Sequence, residues 1–580
     1  MIRIAGAILA ATAVVATASP LAAQTCPDPT SISGTAVGVE AHARYLADDA
    51  LEGRASGSPG ARCAADYLAS RFQAMGLTPA GEDGSFFQVF EVRVGARPGP
   101  GNDLRISGNT YERGKTWQPY GFAASGRTEA ELVYAGEGVS DPRGHGAPLT
   151  GVEGRIAVVE GPTVGAGGLY SDPHFKASTL AGRGAAGVLI LLPEGAALPV
   201  MAGEVRPSVG VPVAAVAASE ADRVREAARR GDAGRVEVDV APDMADALNV
   251  LALLPGSEPA LAGETVVVGA HYDHLGWGGE GSLAPDGREI HNGADDNASG
   301  TATLVEVAGS LAQGPRPGRS ILFMAFSGEE KGLLGSGHYV NAPVRPLEST
   351  VAMINMDMVG RLRENTLTVY GLATAEEWEG LLAEENGALP QPFRLSLIPD
   401  GYGPSDQSSF YGKGIPVLHF FTNTHEDYHR PSDDWHKLNL EGMSRIGDLV
   451  ADVALRLAGT PARGAAALTA VTSQPNPHAG MPSTDPQPTS SGYGAYFGSI
   501  PDMTPLDFGV RFTGVREDSP AEHAGVLSGD VLVSFGGKEI GDLYAFTYAL
   551  QEHRPGDEVE IVVLREGERV TLTAVLGQRR

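Results

Sequence analysis

Apolar residues in this chain fall into short continuous runs, and several of these runs end in charged or imidazole side chains. Three examples are TVVVGAHYDHLG, ILFMAFSGEEKG and VAMINMDMVGR. An apolar run of this length between polar flanks predicts a strand that is buried on both faces, as in a parallel sheet. A fourth run, IPVLHFFTNTHEDYHR, has the same form. We therefore expect a sheet of mostly parallel strands.

Amphipathic helices are predicted beside these strands. Apolar positions recur at helical spacing after the stretch GADDNASG, and they are Ala302, Val305, Ala308 and Leu311. Another apolar helix face precedes Gly76, and it consists of Ala64, Tyr67, Leu68, Phe72 and Met75. Helices that alternate with buried strands predict an α/β fold, an open sheet flanked by helices.

Acidic and imidazole side chains collect at the ends of the predicted strands. In an open, mostly parallel sheet, ligands bind beyond the carboxyl ends of the strands. The strand ends supply His271, Asp273, Glu329, Glu330, Asp357, Tyr428 and His429, and the helix is preceded by Asp295 and Asp296. One such residue alone is usually a hydrogen-bonded loop residue. Five potential ligands of hard or borderline type together predict a metal site.

The adjacent glutamates Glu329 and Glu330 admit two interpretations. Acidic residues favour the first turn of a helix, where they remain solvated. Alternatively, adjacent side chains in an extended or turning backbone project in different directions, so one carboxylate can bind a metal while the other faces the substrate. The other potential ligands favour the second interpretation.

The composition describes a folded protein of several domains. The chain has 580 residues, of which 42% are hydrophobic and 20% are charged, and this length predicts two to four domains. The formal net charge of -28 argues against nucleic acid or an anionic membrane as a partner.

Residues 1–23 have the form of a secretory signal peptide, because one Arg precedes an Ala/Val-rich stretch that ends in Ala22 and Ala23. No later segment offers 18 continuous apolar residues, so we expect no transmembrane segment after signal removal. The mature protein is predicted to be periplasmic or secreted. In an oxidising compartment the two cysteines, Cys26 and Cys63, are expected to pair, and two free buried thiols are the alternative.

Composition also divides the chain into segments. Residues 125–243 are rich in Val, Ala and Gly and hold no clustered acids with ligand spacing, so they are predicted to be an insert without catalytic groups. Residues 461–491 are rich in Pro, Ser, Thr and Ala, which predicts a flexible linker. The catalytic domain then comprises residues 24–124 and 244–460, and residues 492–580 form a C-terminal domain.

The motifs of the strand ends carry a family resemblance. In chain order they are HYDH, GADDNASG, FSGEEKGLLGS, NMDMVGR and DYHRPSDD. They resemble the co-catalytic di-zinc exopeptidases of peptidase clan MH, which include bacterial leucyl aminopeptidases and glutamate carboxypeptidases. YLADDALEGRASGSPG resembles the N-terminal segment of the same family. The resemblance implies a three-layer αβα sandwich with a mostly parallel, mixed central sheet.

Two further segments resemble known domains. The insert is similar to a protease-associated domain, a β-rich α/β unit that this family often carries. The C-terminal segment resembles a PDZ domain, on the stretches GAYFGSIPD and REDSPAEHAGVLSGDVLVSFGGKEI. A PDZ domain implies binding of a peptide or of a protein C-terminus.

The resemblance also implies two Zn²⁺ ions. Asp295 is expected to bridge them. His271 and Asp357 would complete one site, and Glu330 and His429 would complete the other.

Three more residues receive roles from the resemblance. Glu329 is expected to be the general base that acts on a water between the metals. Asp273 is expected to orient the imidazole of His271. Tyr428 either steadies the developing oxyanion or packs beside His429.

These roles predict an exopeptidase with peptide substrates, and analogy with the family favours an aminopeptidase that removes hydrophobic N-terminal residues. A carboxypeptidase or dipeptidase of the same clan is the alternative. Such an enzyme needs a basic residue for the substrate carboxylate, and Arg361 and Arg430 are candidates. A catalytically silent peptide-binding scaffold is a further alternative.

Overall fold

The structure is a computed structural model of the chain. It describes residues 26–138, 150–161, 172–201, 203, 206, 208–279, 281–284, 288–402, 405–460, 464–471, 495–501, 509–515, 519–527, 529–540, 546, 549–550, 553, 555–565 and 567–578. The predicted signal peptide lies outside the described residues. Within those residues, no helix combines the length and the apolar character that crossing a membrane requires.

Eleven α-helices are found in the described part of the chain. They are α1 Pro29–Ser33, α2 Val39–Leu46, α3 Pro59–Ala74, α4 Pro173–Gly182, α5 Ala218–Arg230, α6 Gly300–Gln313, α7 Leu334–Asn341, α8 Trp378–Ala388, α9 Gln407–Tyr411, α10 Leu440–Ala458 and α11 Pro520–Ala524.

The strands up to residue 254 are β1 Thr78–Pro79, β2 Phe87–Pro98, β3 Asp103–Ile106, β4 Asn109–Thr110, β5 Trp117–Pro119, β6 Gly126–Tyr134, β7 Ile156–Glu160, β8 Gly187–Leu191, β9 Val213–Val216, β10 Ala233–Val238 and β11 Val240–Leu254. Those of the following segment are β12 Thr265–His271, β13 Ser320–Phe326, β14 Thr350–Met356, β15 Thr366–Tyr370, β16 Arg394–Ile398 and β17 Val417–Phe421. The C-terminal strands are β18 Ala495–Tyr496, β19 Ser499–Pro501, β20 Val510–Val515, β21 Val531–Phe535, β22 Lys538–Glu539, β23 Glu558–Arg565, β24 Glu568–Val575 and β25 Gly577–Gln578.

The largest sheet has the strand order β1-β11-β13-β12-β14-β17-β15-β16, and β2 pairs with β11 beside this path. Strands β13, β12, β14 and β17 are mutually parallel, as the apolar runs predict, whereas β11 and β15 join this group antiparallel. The sheet is therefore mixed and parallel at its centre.

Helices cover both faces of this sheet, and strand β13 shows how the sequence directs this. Every residue of β13 is buried. Ile321, Phe323 and Ala325 pack into the core beneath helices α3, α6, α8 and α10. The alternate residues Leu322, Met324 and Phe326 pack toward α7 and α9. Side chains of a strand alternate between faces, so a continuous apolar run serves two cores. The three-layer αβα arrangement is confirmed.

A second sheet holds the insert. Its strand order is β4-β3-β10-β6-β7-β8-β9-β5, and β6 to β9 are parallel. The insert begins earlier than the predicted residue 125, because β3, β4 and β5 belong to this sheet and the fully buried Trp117 packs in its core. These strands are only two to four residues long, too short for an alternating pattern to reveal them.

The insert is connected to the catalytic domain by a two-stranded ribbon. Strands β2 and β11 pair antiparallel from Phe87 opposite Val250 to Pro98 opposite Val240. At its side, the Lys331 ammonium donates to the carbonyl of Arg93, and the Arg93 guanidinium donates to the carbonyl of Gly121. The insert thus lies beside the loop that follows β13.

Part of the predicted flexible linker packs against the catalytic domain. Ala466 and Leu468 contact the apolar core, and the Glu377 carboxylate accepts hydrogen bonds from the backbone N–H and the hydroxyl of Thr469. Residues 464–471 are therefore an ordered extension of the catalytic domain, which corrects the prediction for this part of the linker. Residues 472–491 lie outside the described residues.

The C-terminal domain contains a six-stranded sheet and a two-stranded sheet around an aromatic core. It contacts helix α4 of the insert. Arg183, just after this helix, donates to the carbonyl of Gly556 at 3.0 Å. A Cβ at Gly577 would meet the Phe175 ring at 3.4 Å. The predicted tether therefore does not leave this domain separate from the insert.

The predicted pairing of the cysteines is confirmed. Cys26 and Cys63 form a disulfide with a Cα–Cα distance of 5.3 Å. Cys63 lies in α3, so the bond ties the start of the described chain to a helix of the catalytic core. In the chain-entropy account, closing the loop between Cys26 and Cys63 stabilises the folded protein by roughly 3–4 kcal/mol.

Candidate metal centre

Three strands of the central sheet end at the same edge and bring acidic and imidazole side chains together there. His271 is the last residue of β12, and it lies opposite Phe326, the last residue of β13. Asp357 directly follows β14. The pair Glu329–Glu330 lies three residues beyond β13. Parallel pairing thus converts separate positions in the sequence into one cluster.

The first group of the cluster consists of His271, Asp296 and Asp357. Nε2 of His271 lies 3.3 Å from Oδ1 of Asp357 and 3.4 Å from Oδ1 of Asp296. All three residues are buried. Among the described residues, His271 Nε2 and Asp357 Oδ1 have no hydrogen-bond partner. Buried polar atoms are normally paired, so these atoms have the character of metal ligands.

The second group consists of His274, Glu330, His429 and Asp296, and it shares Asp296 with the first group. Nε2 of His429 lies 3.1 Å from the other carboxylate oxygen, Oδ2 of Asp296, and 3.3 Å from Oε2 of Glu330. Nδ1 of His274 lies 2.6 Å from Oε1 of Glu330. The two oxygens of Asp296 therefore face two different histidines, an arrangement that suits a carboxylate between two cations.

Zinc fits these donors. Imidazole nitrogens and carboxylate oxygens are its ordinary ligands, at about 2.0–2.2 Å in tetrahedral sites. Donor atoms in such a tetrahedron are separated by roughly 3.3–3.6 Å, close to the 3.1–3.4 Å between the imidazole nitrogens and carboxylate oxygens of both groups. His271, Asp296 and Asp357 could hold metal on one side, and His274, Asp296 and Glu330 could hold it on the other. His429 also lies within reach of this second set.

Asp295 is not among these side chains, contrary to the prediction. Its Oδ1 accepts the backbone N–H of Gly360 at 2.6 Å, and its Oδ2 lies 3.1 Å from Nε2 of His425. Asp296 occupies the shared position instead. The two aspartates are adjacent in a turn that runs from Ala294 to Ser299, so their side chains point apart. The sequence alone does not distinguish which of the two faces the cluster.

A buried carboxylate fixes this turn. Oδ2 of Asp433 accepts the backbone N–H of Asp295 at 2.8 Å and that of Asp296 at 3.2 Å. Its Oδ1 accepts a hydrogen bond from Arg361 at 3.0 Å. Because both amides are held by one carboxylate, the backbone of the turn is constrained before any ligand binds.

The guanidinium of Arg361 is already bound by carboxylates of the protein itself. Its Nη2 donates to Asp433 and, at 3.1 Å, to Asp427, and only 14% of its side chain is exposed. A substrate carboxylate would have to displace two carboxylates that already hold this guanidinium. Arg430, the other candidate, is half-buried.

Asp273 contacts His271 chiefly through its backbone. Nδ1 of His271 lies 3.2 Å from the carbonyl oxygen of Asp273 and 3.8 Å from its carboxylate. The carboxylate instead accepts the backbone N–H of Glu329 at 3.2 Å. Asp273 therefore connects the loop after β12 to the loop that carries the glutamates.

The Glu329 carboxylate lies at the side of the first group. Its Oε2 is 4.0 Å from Nε2 of His271, and 12% of its side chain is exposed. Burial raises the pKa of Glu329 well above its usual range, His271 opposes this effect, and Glu330 and Asp357 add to it. The carboxylate is thus in a setting that favours holding a proton.

Burial would raise the pKa of Glu330 as well, but His429 and His274 outweigh burial and hold it well below its usual range. For His429 the balance is reversed. Burial alone would lower its pKa, whereas Glu330 and Asp296 raise it to about 10. The opposite charges of Glu330 and His429 therefore attract each other. The cluster as a whole is rich in carboxylates.

Tyr428 packs between His429 and an apolar cluster. Its ring stacks on the His429 ring with 3.8 Å between centroids. It also packs against a group of buried apolar side chains, which consists of Met358, Tyr370, Ile398 and Phe421. This position agrees with the packing interpretation of Tyr428 and places an apolar surface beside the metal ligands.

Comparison with known proteins agrees with this geometry. Residues 249–454 match the profile of "Peptidase family M28", and residues 494–576 match that of "PDZ domain". Residues 249–454 are a peptidase family M28 domain. The M28 segment contains every residue of both groups.

Curated relatives of this segment include proteins named as an aminopeptidase and as probable leucine aminopeptidases. The aminopeptidase YwaD of Bacillus subtilis is 31% identical over 195 residues, which cover 32% of this chain and 40% of that protein. A probable leucine aminopeptidase of Trichophyton verrucosum is 27% identical over 225 residues, covering 37% of this chain and 56% of that protein. The chain thus spans less than two thirds of the length of either relative.

Two solved structures can be aligned with this chain. An aminopeptidase from Aneurinibacillus sp. strain AM-1 has a TM-score of 0.45 and 21% identity, with 77% of this chain and 99% of that chain covered. The zinc aminopeptidase BSAP from Bacillus subtilis has a TM-score of 0.44 and 23% identity, with 72% and 93% covered.

Three residues at the M28 site received no role from the sequence. They are Asp296, His274 and Asp433. All three lie inside motifs that indicated the site, namely GADDNASG, HYDH and DYHRPSDD. A residue type at the right spacing indicates that a motif is functional, but the direction of each side chain depends on local backbone geometry.

Proposed function

We propose that this protein is an exported di-zinc aminopeptidase that removes hydrophobic residues from the N-termini of peptides. One observation carries the proposal. Asp296 lies between two groups of zinc-type donors, with Oδ1 toward His271 and Oδ2 toward His429. When bound there, zinc would polarise the scissile carbonyl and lower the pKa of a water molecule.

The chain's own residues would divide the work as follows. His271 and Asp357 would hold one ion, Glu330 and His429 the other, and Asp296 both. Glu329 would accept a proton from the attacking water at its carboxylate and return it to the leaving amine. Its position supports this role, because its carboxylate lies at the side of the first group, 4.0 Å from His271, and is not one of the grouped donors.

The partners of Arg361 favour an amino terminus over a carboxyl terminus as the recognised end of the peptide. Arg361 is already bound to Asp427 and Asp433. A substrate carboxylate that used this guanidinium would have to displace two carboxylates that already hold it, whereas a substrate ammonium group would not.

The apolar cluster supports the preference for a hydrophobic terminal residue. Met358 directly follows Asp357, and Tyr370, Ile398 and Phe421 lie at the ends of neighbouring strands. A side chain that enters beside these groups would be transferred from water to an apolar surface, which is favourable by about 25 cal/mol per Å² of apolar area.

Other parts of the chain support export and peptide recognition. The disulfide between Cys26 and Cys63 suits an oxidising compartment, and the predicted signal peptide agrees with it. The PDZ domain would bind an extended peptide or a protein C-terminus by strand addition.

Matched peptides test the proposal. Leu-Ala-Ala-Phe would be incubated with the zinc-loaded protein in four forms: free, N-acetylated, C-amidated and with Asp in place of Leu. Mass spectrometry should show loss of Leu from the free and the C-amidated peptides, none from the N-acetylated one, and slower release of Asp. Shortening of the N-acetylated peptide from its C-terminus would support the carboxypeptidase alternative instead.

A further inference from the structure

Arg54 is a fully buried cation directly behind the metal centre. Its guanidinium donates hydrogen bonds to four backbone carbonyls. Nε donates to Tyr272 at 2.7 Å, Nη1 to Asn292 at 2.8 Å and to Leu46, and Nη2 to Gly293 at 3.1 Å. None of its side chain is exposed, and its side-chain hydrogen bonds within the described part of the chain all go to backbone carbonyls.

Three of the four carbonyls belong to segments that carry ligands of both groups, and the fourth is that of Leu46, the last residue of α2. Tyr272 lies between His271 and Asp273 in the loop after β12. Asn292 and Gly293 precede the turn in which Asp296 lies. The planar guanidinium offers five donors in a fixed arrangement, so it can hold these segments at one mutual distance.

The backbone around Arg54 makes the same connection. Its carbonyl accepts the N–H of His274, and the carbonyl of Gly53 accepts the N–H of Gly276 at 3.1 Å. Three successive residues here, Glu52, Gly53 and Arg54, have left-handed φ angles of 48°, 67° and 50°. Non-glycine residues hold such angles only when their surroundings enforce them.

Close packing is what enforces this turn. A Cβ at Gly53 would lie 2.4 Å from the carbonyl oxygen of His291 and 2.6 Å from that of Gly276. The turn is therefore wedged between the two loops of the metal centre, and its side chain and backbone both contact them.

The charge of Arg54 opposes the acidic character of the centre. Burial lowers its pKa to about 10, and Asp273, Asp296, Asp433 and Glu330 oppose this effect. The group therefore remains a cation at neutral pH. It is a fixed positive charge among carboxylates that repel one another when no metal is present.

We propose that Arg54 is a positioning residue that assembles the two ligand-bearing loops before zinc binds. It sets the distance between the loop after β12 and the turn that holds Asp296, and it offsets repulsion among the carboxylates. This inference rests on the proposed function, since it takes zinc as the metal of the centre.

Three variants test the proposal. Arg54→Met removes both charge and donors, and Arg54→Lys keeps the charge but loses the planar arrangement of donors. Arg319→Met is the matched control, because Arg319 also donates to two carbonyls, those of Leu457 and Ala466, at the opposite end of the sheet. Zinc affinity would be measured by competition with a chromogenic chelator, and the Co²⁺-loaded proteins would be compared by absorption spectroscopy.

Loss of a group that orients ligands typically lowers metal affinity 10–100-fold. We expect a loss of about this size in Arg54→Met, a smaller loss in Arg54→Lys, and altered Co²⁺ spectra in both. Arg319→Met should lower the thermal midpoint with zinc affinity within about twofold of wild type, because it contacts no ligand-bearing segment.

Other outcomes are equally informative. If Arg54→Met does not fold, Arg54→Lys decides, and wild-type zinc affinity and Co²⁺ spectrum in that variant would overturn the proposal. The same holds if Arg54→Met folds and binds zinc as the wild type does. Failure of the wild type to bind zinc would instead reject the proposed function. Full zinc affinity with absent peptidase activity in the wild type would reject the activity and leave the role of Arg54 measurable.

Discussion

The carboxylates of Glu329 and Glu330, adjacent in the sequence, face different partners in the metal centre. Glu330 contacts two imidazoles, with Oε1 2.6 Å from His274 and Oε2 3.3 Å from His429. Glu329 instead approaches His271, at 4.0 Å. Glu330 thus belongs to the second group of donors, whereas Glu329, the preceding residue, lies beside the first group.

This separation predicts different losses in two matched variants. Glu330→Gln should lower zinc content from two ions toward one, because it weakens a ligand. Glu329→Gln keeps the shape of the side chain and removes its basicity, so it should retain both ions and lose about 10²–10⁴ in kcat. Metal analysis and kinetics on a Leu-peptide substrate would check both. Loss of zinc from Glu329→Gln alone would mean that the two roles are exchanged.

Asp295 and Asp296 are a second pair of adjacent residues with different roles, since Asp296 is a proposed metal ligand and Asp295 supports the structure. Asp296→Asn should lose most of the zinc, since both groups share its carboxylate. Asp295→Asn should keep the zinc and lose stability, because Asp295 accepts a buried hydrogen bond from Gly360. Disturbing a buried hydrogen bond of this kind costs about 1–3 kcal/mol. Zinc content and chemical denaturation measure the two effects separately, and the opposite pattern would restore Asp295 as the shared ligand.

Asp406 gives the metal-free protein a specific pH dependence. Burial raises its pKa to about 7, His271 opposes this, and Asp273 and Asp357 add to it. Between the ordinary pKa of about 3.9 and the folded value, the folded chain holds a proton that the unfolded chain has released. This contribution to stability is present at low pH and is lost as the pH rises through that window.

Asp406→Asn should remove this dependence. In chelator-treated protein, the variant should be more stable than the wild type at pH 8, by up to a few kcal/mol at about 1.4 kcal/mol per pKa unit. The difference should shrink at pH 5, where the wild-type carboxyl still holds its proton. Thermal denaturation at the two values would check this. An equal difference at both would exclude titration of Asp406 as the cause.

The contact between the PDZ domain and the insert can be captured covalently. A Cβ at Gly556 would lie 3.7 Å from Cβ of Thr179, within the 3.5–4.5 Å of disulfides. Thr179→Cys with Gly556→Cys should therefore oxidise to a cross-link that peptide mapping detects. The control pairs Thr179→Cys with Gly525→Cys, which has a similar φ of 86° but no neighbour within 4 Å. Equal cross-linking of both pairs would show that the two domains do not keep this contact.

Much of the fold was predictable because burial imposes a simple pattern. A strand covered on both faces must be continuously apolar, and β13 is an example, with seven buried residues in sequence. The polar residues that follow such strands stand out, so the edge that carries His271 and Asp357 could be inferred. The short strands around Trp117 lacked that pattern and were missed.

The choice between neighbouring residues was not predictable, since it depends on backbone direction over one residue. Asp295 and Asp296 have the same chemistry, and the hydrogen bonds from their amides to Asp433 decide which carboxylate faces inward. The position of Arg54 could not be predicted from the sequence for a different reason. A buried arginine that binds carbonyls has no partner of opposite charge to reveal it in the sequence.

The ribbon of β2 and β11 has a consequence for the ancestry of the protein. Pro98 and Val240 are cross-strand partners, so the chain leaves the catalytic domain and returns to it at one place. The ends of a whole folded unit are thus already adjacent, and longer loops add only about 0.6 kcal/mol of closure entropy per doubling. The insert has the geometry of an exchangeable cassette, one that a lineage could replace or reduce to a hairpin turn without altering the connections of the zinc-binding sheet.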